Sequence, residues 1–176
     1  MIGNLFREYS MRKLLQLTGR VDVCLNLLNE EQIWRRGSEA ENSVGNLVLH
    51  LEGNVRQWAV SAVGGAVDVR RRDAEFAARG GVSQAELRQR LADTVAAAVA
   101  VFSGLGEERL AERVQVQGYD IPVLDAVYQV VDHFALHAGQ IQLLTKLYTQ
   151  QDLGFYAHLS RPGMEKRPHE GGPGSR

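Results

Sequence analysis

One cysteine, four prolines and two tryptophans are all that this 176-residue chain holds of residues that often announce a specialised scaffold. Cys24, being alone, can close no internal disulfide and build no cysteine zinc cage. Charge of neither sign prevails: 20 Lys and Arg stand against 21 Asp and Glu, a net charge of −1. That balance leaves no electrostatic footprint for nucleic acid or an anionic membrane, and the Arg70–Asp73 run "RRRD" is too short to make one. No stretch approaches the roughly 20 apolar residues that cross a bilayer. The first twenty residues mix charges throughout and lack the apolar core of a secretory leader, so the expected location is cytoplasmic. What is present is ordinary globular material, 44% hydrophobic and 23% charged, enough for one sizeable core.

Four stretches carry a helical period. In the first, from about Ile2 to Leu28, Leu14, Leu17, Val21, Cys24, Leu25 and Leu28 recur at three- and four-residue steps and line one face. The second runs from Asn42, a good N-cap type, to about Val63, with Val44, Leu47, Val48, Leu51, Val55, Trp58 and Ala62 as its stripe and Gly64-Gly65 as its stop. The third opens on "SQAE", where Ser83 and Glu86 form a capping box, and carries Leu87, Leu91, Val95, Ala98 and Phe102. The fourth begins near Pro122 and runs to about Tyr148. Four such helices predict an all-α four-helix bundle over residues 1–160. The connection from Gly64 to Val82 is long enough for a crossover, and "VQVQGYDI" suits a small hairpin around Gln117-Gly118. Residues 161–176, rich in Pro, Gly and charge, read as a disordered tail.

The fourth helix contains "DHFALHAGQI". His133 and His137 stand at i and i+4, on one face, where two imidazoles can share a metal ion. His50 lies on a polar seam of the second helix, Asn46–His50–Asn54, beside the apolar stripe. If the two helices are neighbours, three nitrogens and an open position result, the ligand count of a catalytic zinc-type site. Hydrogen-bonded core histidines are the other reading. Two known chemistries do not fit: a zinc-protease helix needs Glu directly after its first histidine, where Phe134 stands. A di-iron carboxylate bundle needs Glu three residues before a histidine, where Leu47, Val130 and Phe134 stand.

With its "NLVLHLEGN" and "DHFALHAGQI" segments the chain resembles the DinB/YfiT-like metalloenzyme superfamily, and "GNLVLHLEGNVRQW", "RRRDAEF" and "HFALHAGQIQLLTK" are similar to a bacterial branch of it. The resemblance extends to about Tyr156. It implies a bundle that is a mirror variant of up-and-down topology, a divalent metal on His50, His133 and His137, and frequent homodimers. It also implies kinship with thiol-dependent enzymes, the bacillithiol transferases and mycothiol-dependent maleylpyruvate isomerase, in which a metal holds a small thiol as thiolate. Zinc or nickel leads as the metal, with manganese and iron open, because imidazole accepts all four.

Asn46, Asn54, Gln129 and Gln140 lie within a turn of a histidine and can orient imidazoles, or can serve ordinary inter-helix bonding. Trp58 reads as core or, less directly, as a pocket wall. Arg70, Arg72, Asp73 and Glu75 read as a salt-bridged or solvated loop, with binding of an anionic substrate as the alternative. Cys24 reads as an inert packed residue. The function expected is a metal-dependent enzyme that activates a small thiol or water for transfer to an electrophilic small molecule. The rival is a non-catalytic bundle that binds a small molecule or a metal, which the lack of an obvious general acid or base near the motif favours.

Overall fold

All four apolar stripes lie on helices in the structure, a computed structural model that describes residues 1–160. In chain order the helices are α1 (Ile2–Leu27), α2 (Glu30–Trp34), α3 (Val44–Val55), α4 (Arg72–Ala77), α5 (Gln84–Ser103) and α6 (Val123–Thr149). The tail expected from Arg161 onward falls outside the described residues. α1, α3, α5 and α6 form the four-helix bundle: α1 packs against α5 and α6, and α3 packs against the same two. Side-chain pairs fix their directions. Glu52 of α3 and Arg56 just beyond its end meet Arg90 and Thr94 of α5 in the same order, so these neighbours run parallel. His50 meets His133, and Trp58, further along the chain, shares a cavity with Asp125 and Gln129, which precede His133, so α3 and α6 run antiparallel.

Parallel neighbours need a connection that travels back along the bundle. Residues 64–83 make that crossover, and α4 lies within them. The capping box of α5 forms as its sequence predicts, with Ser83 accepting from the Glu86 amide. At α3 the cap is Ser43 rather than Asn42: its hydroxyl accepts from the Asn46 amide, and Asn46 returns a bond to the Ser43 backbone. The second stripe is also not one α-helix. From Arg56 to Val63 the chain is π-helical, a wider turn that buries both Trp58 and Val63, five residues apart. The hairpin is present, with β1 (Arg113–Val116) antiparallel to β2 (Tyr119–Pro122). Gln117 and Gly118 have φ of 51° and 81°, the two left-handed residues of a tight hairpin turn.

The core is the sum of the inward stripes, with Leu14, Val21, Leu51, Val95, Phe102, Phe134 and Ile141 all buried. Among the described residues, no helix is long and apolar enough to cross a membrane.

Candidate metal centre

α3 and α6 present His50, His133 and His137 to one another. Ring centroids lie 4.9 Å apart for His50–His133, 5.0 Å for His50–His137 and 4.5 Å for His133–His137. One nitrogen from each falls within 4.8 Å of the other two. Antiparallel packing puts the i, i+4 pair of α6 opposite the single histidine of α3 at the same depth. His50 is buried, and the other two are partly accessible.

The outer nitrogens decide which atoms are free. His50 Nδ1 lies 2.9 Å from Glu75 Oε2, and His137 Nδ1 lies 2.7 Å from Gln140 Oε1. Gln140 Oε1 accepts the His137 proton. At His50 the donor Arg70 Nη2 also lies 3.1 Å from Nδ1, but the nearer, ionised Glu75 carboxylate draws the proton onto Nδ1, which leaves each Nε2 its lone pair. His50 Nε2 and His133 Nε2 are 3.1 Å apart. Two nitrogens at about 2.1 Å from one cation are separated by about 3.0 Å at a right angle and about 3.4 Å at the tetrahedral angle. The observed spacing falls between these limits. Burial, reinforced by the charges of His137, His50 and Arg70, pushes His133 down to about 3, so this imidazole is neutral at physiological pH. Burial also lowers His137, against the hydrogen bond to Gln140, which raises it. Without a metal, His133 Nε2–H can donate to His50 Nε2 across the 3.1 Å gap, since its Nδ1 has no partner among the described residues. A cation would replace that proton, and neutral imidazoles are the donors a borderline divalent ion takes. The cluster is compatible with metal binding.

Glu75 is the residue that the sequence reading did not place here. It sits on α4, in the crossover, and is buried together with Arg70. Arg70 grips it in a fork, Nε to Oε1 at 2.7 Å and Nη2 to Oε2 at 2.9 Å. Burial alone raises the Glu75 carboxyl, but hydrogen bonds and charge from Arg70 and His50 outweigh it and hold it below the ordinary carboxylate value. The "RRRDAEF" stretch is thus salt-bridged, as expected, but its key pair is an internal clamp on His50 rather than a solvated loop. Gly53, one turn from His50, makes room for it. A methyl group at that position would stand 2.1 Å from Glu75 Oε1. Phe76, the next residue along, covers the His50 ring at 4.7 Å.

The four candidate supporting residues separate on inspection. Gln140 orients His137. Asn46 turns away from the histidines and ties down the crossover, donating to the carbonyls of Glu75 and Ala78 at 2.8 and 2.9 Å and accepting from Arg36 and Ser43. Asn54 is buried and its Oδ1 finds no partner among the described residues. Gln129 lines a separate cavity with Trp58. Cys24 is buried on the other side of the core, where desolvation raises its thiol pKa against smaller opposing effects of Thr145 and Lys146. It is an inert packing residue.

A family model described as "Protein of unknown function (DUF1572)" matches residues 2–162. No curated protein matches the chain. Among solved structures, a conserved protein from Enterococcus faecalis is similar at a TM-score of 0.71 and 15% identity, over 82% of this chain and 97% of that one. A DinB-like protein, YjoA, from Bacillus subtilis matches at a TM-score of 0.64 and 15% identity, over 84% and 96% of the two chains. A DinB-like protein from Bacillus cereus matches at 0.62 and 16%, over 77% and 90%. At these identities the likeness speaks for a common DinB-like bundle.

Proposed function

The chain belongs to the DUF1572 family and has the DinB-like fold, and from that premise we propose that residues 1–160 are one metal-binding domain of a metal-dependent enzyme. His50, His133 and His137 hold a divalent ion, zinc or nickel foremost, with manganese and iron admissible. The ion, when bound, supplies Lewis acidity that lowers the pKa of a water or small thiol and holds it as the nucleophile. The reaction is transfer of that nucleophile to an electrophilic small molecule, of the thiol S-transferase type, in the cytoplasm. One observation carries this reading: three imidazole nitrogens within 4.8 Å, the first of them fixed from behind by a buried carboxylate.

The protein's own contribution is positional. Glu75 and Gln140 keep the Nδ1 protons in place and aim two Nε2 lone pairs inward, while burial keeps His133 neutral. Three protein ligands leave a coordination position for the nucleophile. For assembly we propose a homodimer through α6, where Leu136, Leu143 and Leu147 stand exposed at helical spacing on one face.

The test is elemental analysis of the reconstituted protein beside a thiol-transfer screen. About one ion per chain is expected, with activity lost in His137→Ala while its circular dichroism stays helical, because the apolar stripes carry the fold. No stoichiometric ion rejects the metal. A stoichiometric ion whose chelation unfolds the protein at ambient temperature turns the site into a structural one.

A further inference from the structure

The two helices that carry the histidines continue beyond them as the walls of a second feature. Along the chain from His50, Asn54 and Trp58 follow at four and eight residues. Back along α6 from His133, Gln129 and Asp125 precede at the same steps. Because the helices are antiparallel, these steps keep pace with each other, and eight helical residues cover about 12 Å. At that distance the chain on the α3 side is π-helical and carries Trp58, and the β1–β2 hairpin covers the end. The result is a cavity of about 560 Å³, within the size range of small-molecule sites.

Its lining is aromatic and one-sided in charge. Trp58, Tyr119 and Tyr128 contribute rings, and the Trp58 and Tyr119 centroids are 6.3 Å apart. Asp125, Gln117 and Gln129 are its polar members. No basic residue lines it, and Asp125 stands exposed in the first turn of α6. The cavity on the other face of α3 is different, with Arg56, Arg70, Arg71 and Arg90 in its wall. The aromatic cavity is also tied to the histidines. Gln117 donates to Gln57 Oε1 at 2.6 Å, the same oxygen accepts from Arg70 at 2.9 Å, and Arg70 holds Glu75 against His50.

We infer that this cavity binds a planar aromatic molecule that is neutral or cationic. Its ring lies against Trp58 and Tyr119, and its amine or hydroxyl end meets Asp125 and Gln129. Aromatic walls favour a flat ring over an aliphatic one of equal area, and the lone carboxylate favours a cation. An anion placed there meets no basic side chain and faces Asp125, so it binds more weakly than a neutral or cationic counterpart.

Isothermal titration of the full chain, as purified and after metal removal, with 2-naphthylmethylamine, 2-naphthalenemethanol, 2-naphthoate and cyclohexylmethylamine tests this. The naphthyl amine and alcohol should bind at least tenfold more tightly than naphthoate, and the amine at least tenfold more tightly than its cyclohexyl counterpart. Tyr119→Ala, at a mostly exposed position whose truncation spares the fold, should weaken the amine at least fivefold. Asp125→Asn should remove the amine's advantage over the alcohol. Equal or tighter binding of naphthoate, an unchanged Tyr119→Ala, or affinity that falls as protein concentration rises, marking the cavity as covered by a second copy, each overturns the inference. The expected order in a protein that retains no metal upholds the cavity while the metal reading fails. Absence of binding in a protein that keeps its ion overturns the cavity alone.

Discussion

Replacing Gly53 by alanine adds one methyl group, and its effect should be read at His50 rather than at Gly53. The new carbon would lie 2.1 Å from Glu75 Oε1 and 2.8 Å from its Cδ. An ordinary carbon–oxygen contact needs about 3.5 Å, so the carboxylate must retreat by about 1.4 Å. The hydrogen bond it makes to His50 is 2.9 Å long and does not survive such a move. Two opposing energies follow. Alanine inside a helix gains about 1 kcal/mol over glycine. Losing a charge-assisted bond to a buried group costs about 1.5–3 kcal/mol, so the fold should weaken by about 0.5–2 kcal/mol net. Metal affinity suffers more visibly, because loss of the group behind a ligating imidazole weakens binding about 10–100-fold, or about 1.4–2.7 kcal/mol. Competition for zinc against a chromophoric chelator measures the affinity, and thermal melting measures the fold. Glu75→Gln should fall in the same range, and the double variant should lose little more, since both remove one contact. A Gly53→Ala protein that binds zinc like the wild type and melts higher would refute the reasoning, for only the helix gain would then remain.

Acid should destabilise the metal-free protein from pH 6.5 downward: unfolded His133 takes up a proton near 6.5 while the folded residue waits until about 3. The stability is therefore complete above 6.5 and is lost as pH falls through that window, with His137 and Glu75 acting in the same direction. Urea midpoints that do not change between pH 7 and pH 4 would contradict it. Asn46→Ala leaves buried carbonyls of Glu75 and Ala78 without donors and should cost about 3 kcal/mol by urea denaturation; a loss under about 1 kcal/mol would show that water replaces the amide. Leu143→Glu, at an exposed point of the α6 stripe, should convert the proposed dimer to monomer in sedimentation velocity without altering helix content, and a wild type that sediments as a monomer at micromolar concentration would dispose of the dimer.

The bundle was legible because its signals are local and periodic. Leu14, Val21 and Leu28, or Val95 and Phe102, announce a buried face by spacing alone, and Ser83 with Glu86 marks a helix start within four residues. The i, i+4 histidines were legible for the same reason. His50 required a guess that α3 and α6 are neighbours, which the antiparallel packing bears out. Glu75 was not legible: it is 25 residues from His50, and "RRRDAEF" has the composition of a solvated segment. A hint lay in Gly53, a glycine inside an otherwise regular helical stripe, where a close approach is a frequent cause. The π-helical turn at Arg56–Val63 leaves no comparable mark, because Trp58 fits an α-helical stripe equally well. Asn54 and Gln129 lie on the right seams, yet neither hydrogen-bonds a histidine. Sequence spacing reports which side of a helix a residue occupies, not which partner its amide selects.

That the carboxylate behind His50 comes from the crossover rather than from the bundle separates two things that can vary independently. The imidazoles stand on long helices whose positions are set by dozens of buried side chains, so where they sit is hard to alter without unfolding the protein. α4 is six residues long and is held by Asn46 and Arg36 on its carbonyls, by Glu75 between Arg70 and His50, and by Phe76 on the His50 ring. A descendant chain can therefore lengthen, shorten or recharge this strap and change how basic one ligand is, while the ligands keep their places. Grafting a crossover from a related bundle onto this one would be a direct route to new reactivity, with the core untouched and only the loop on trial.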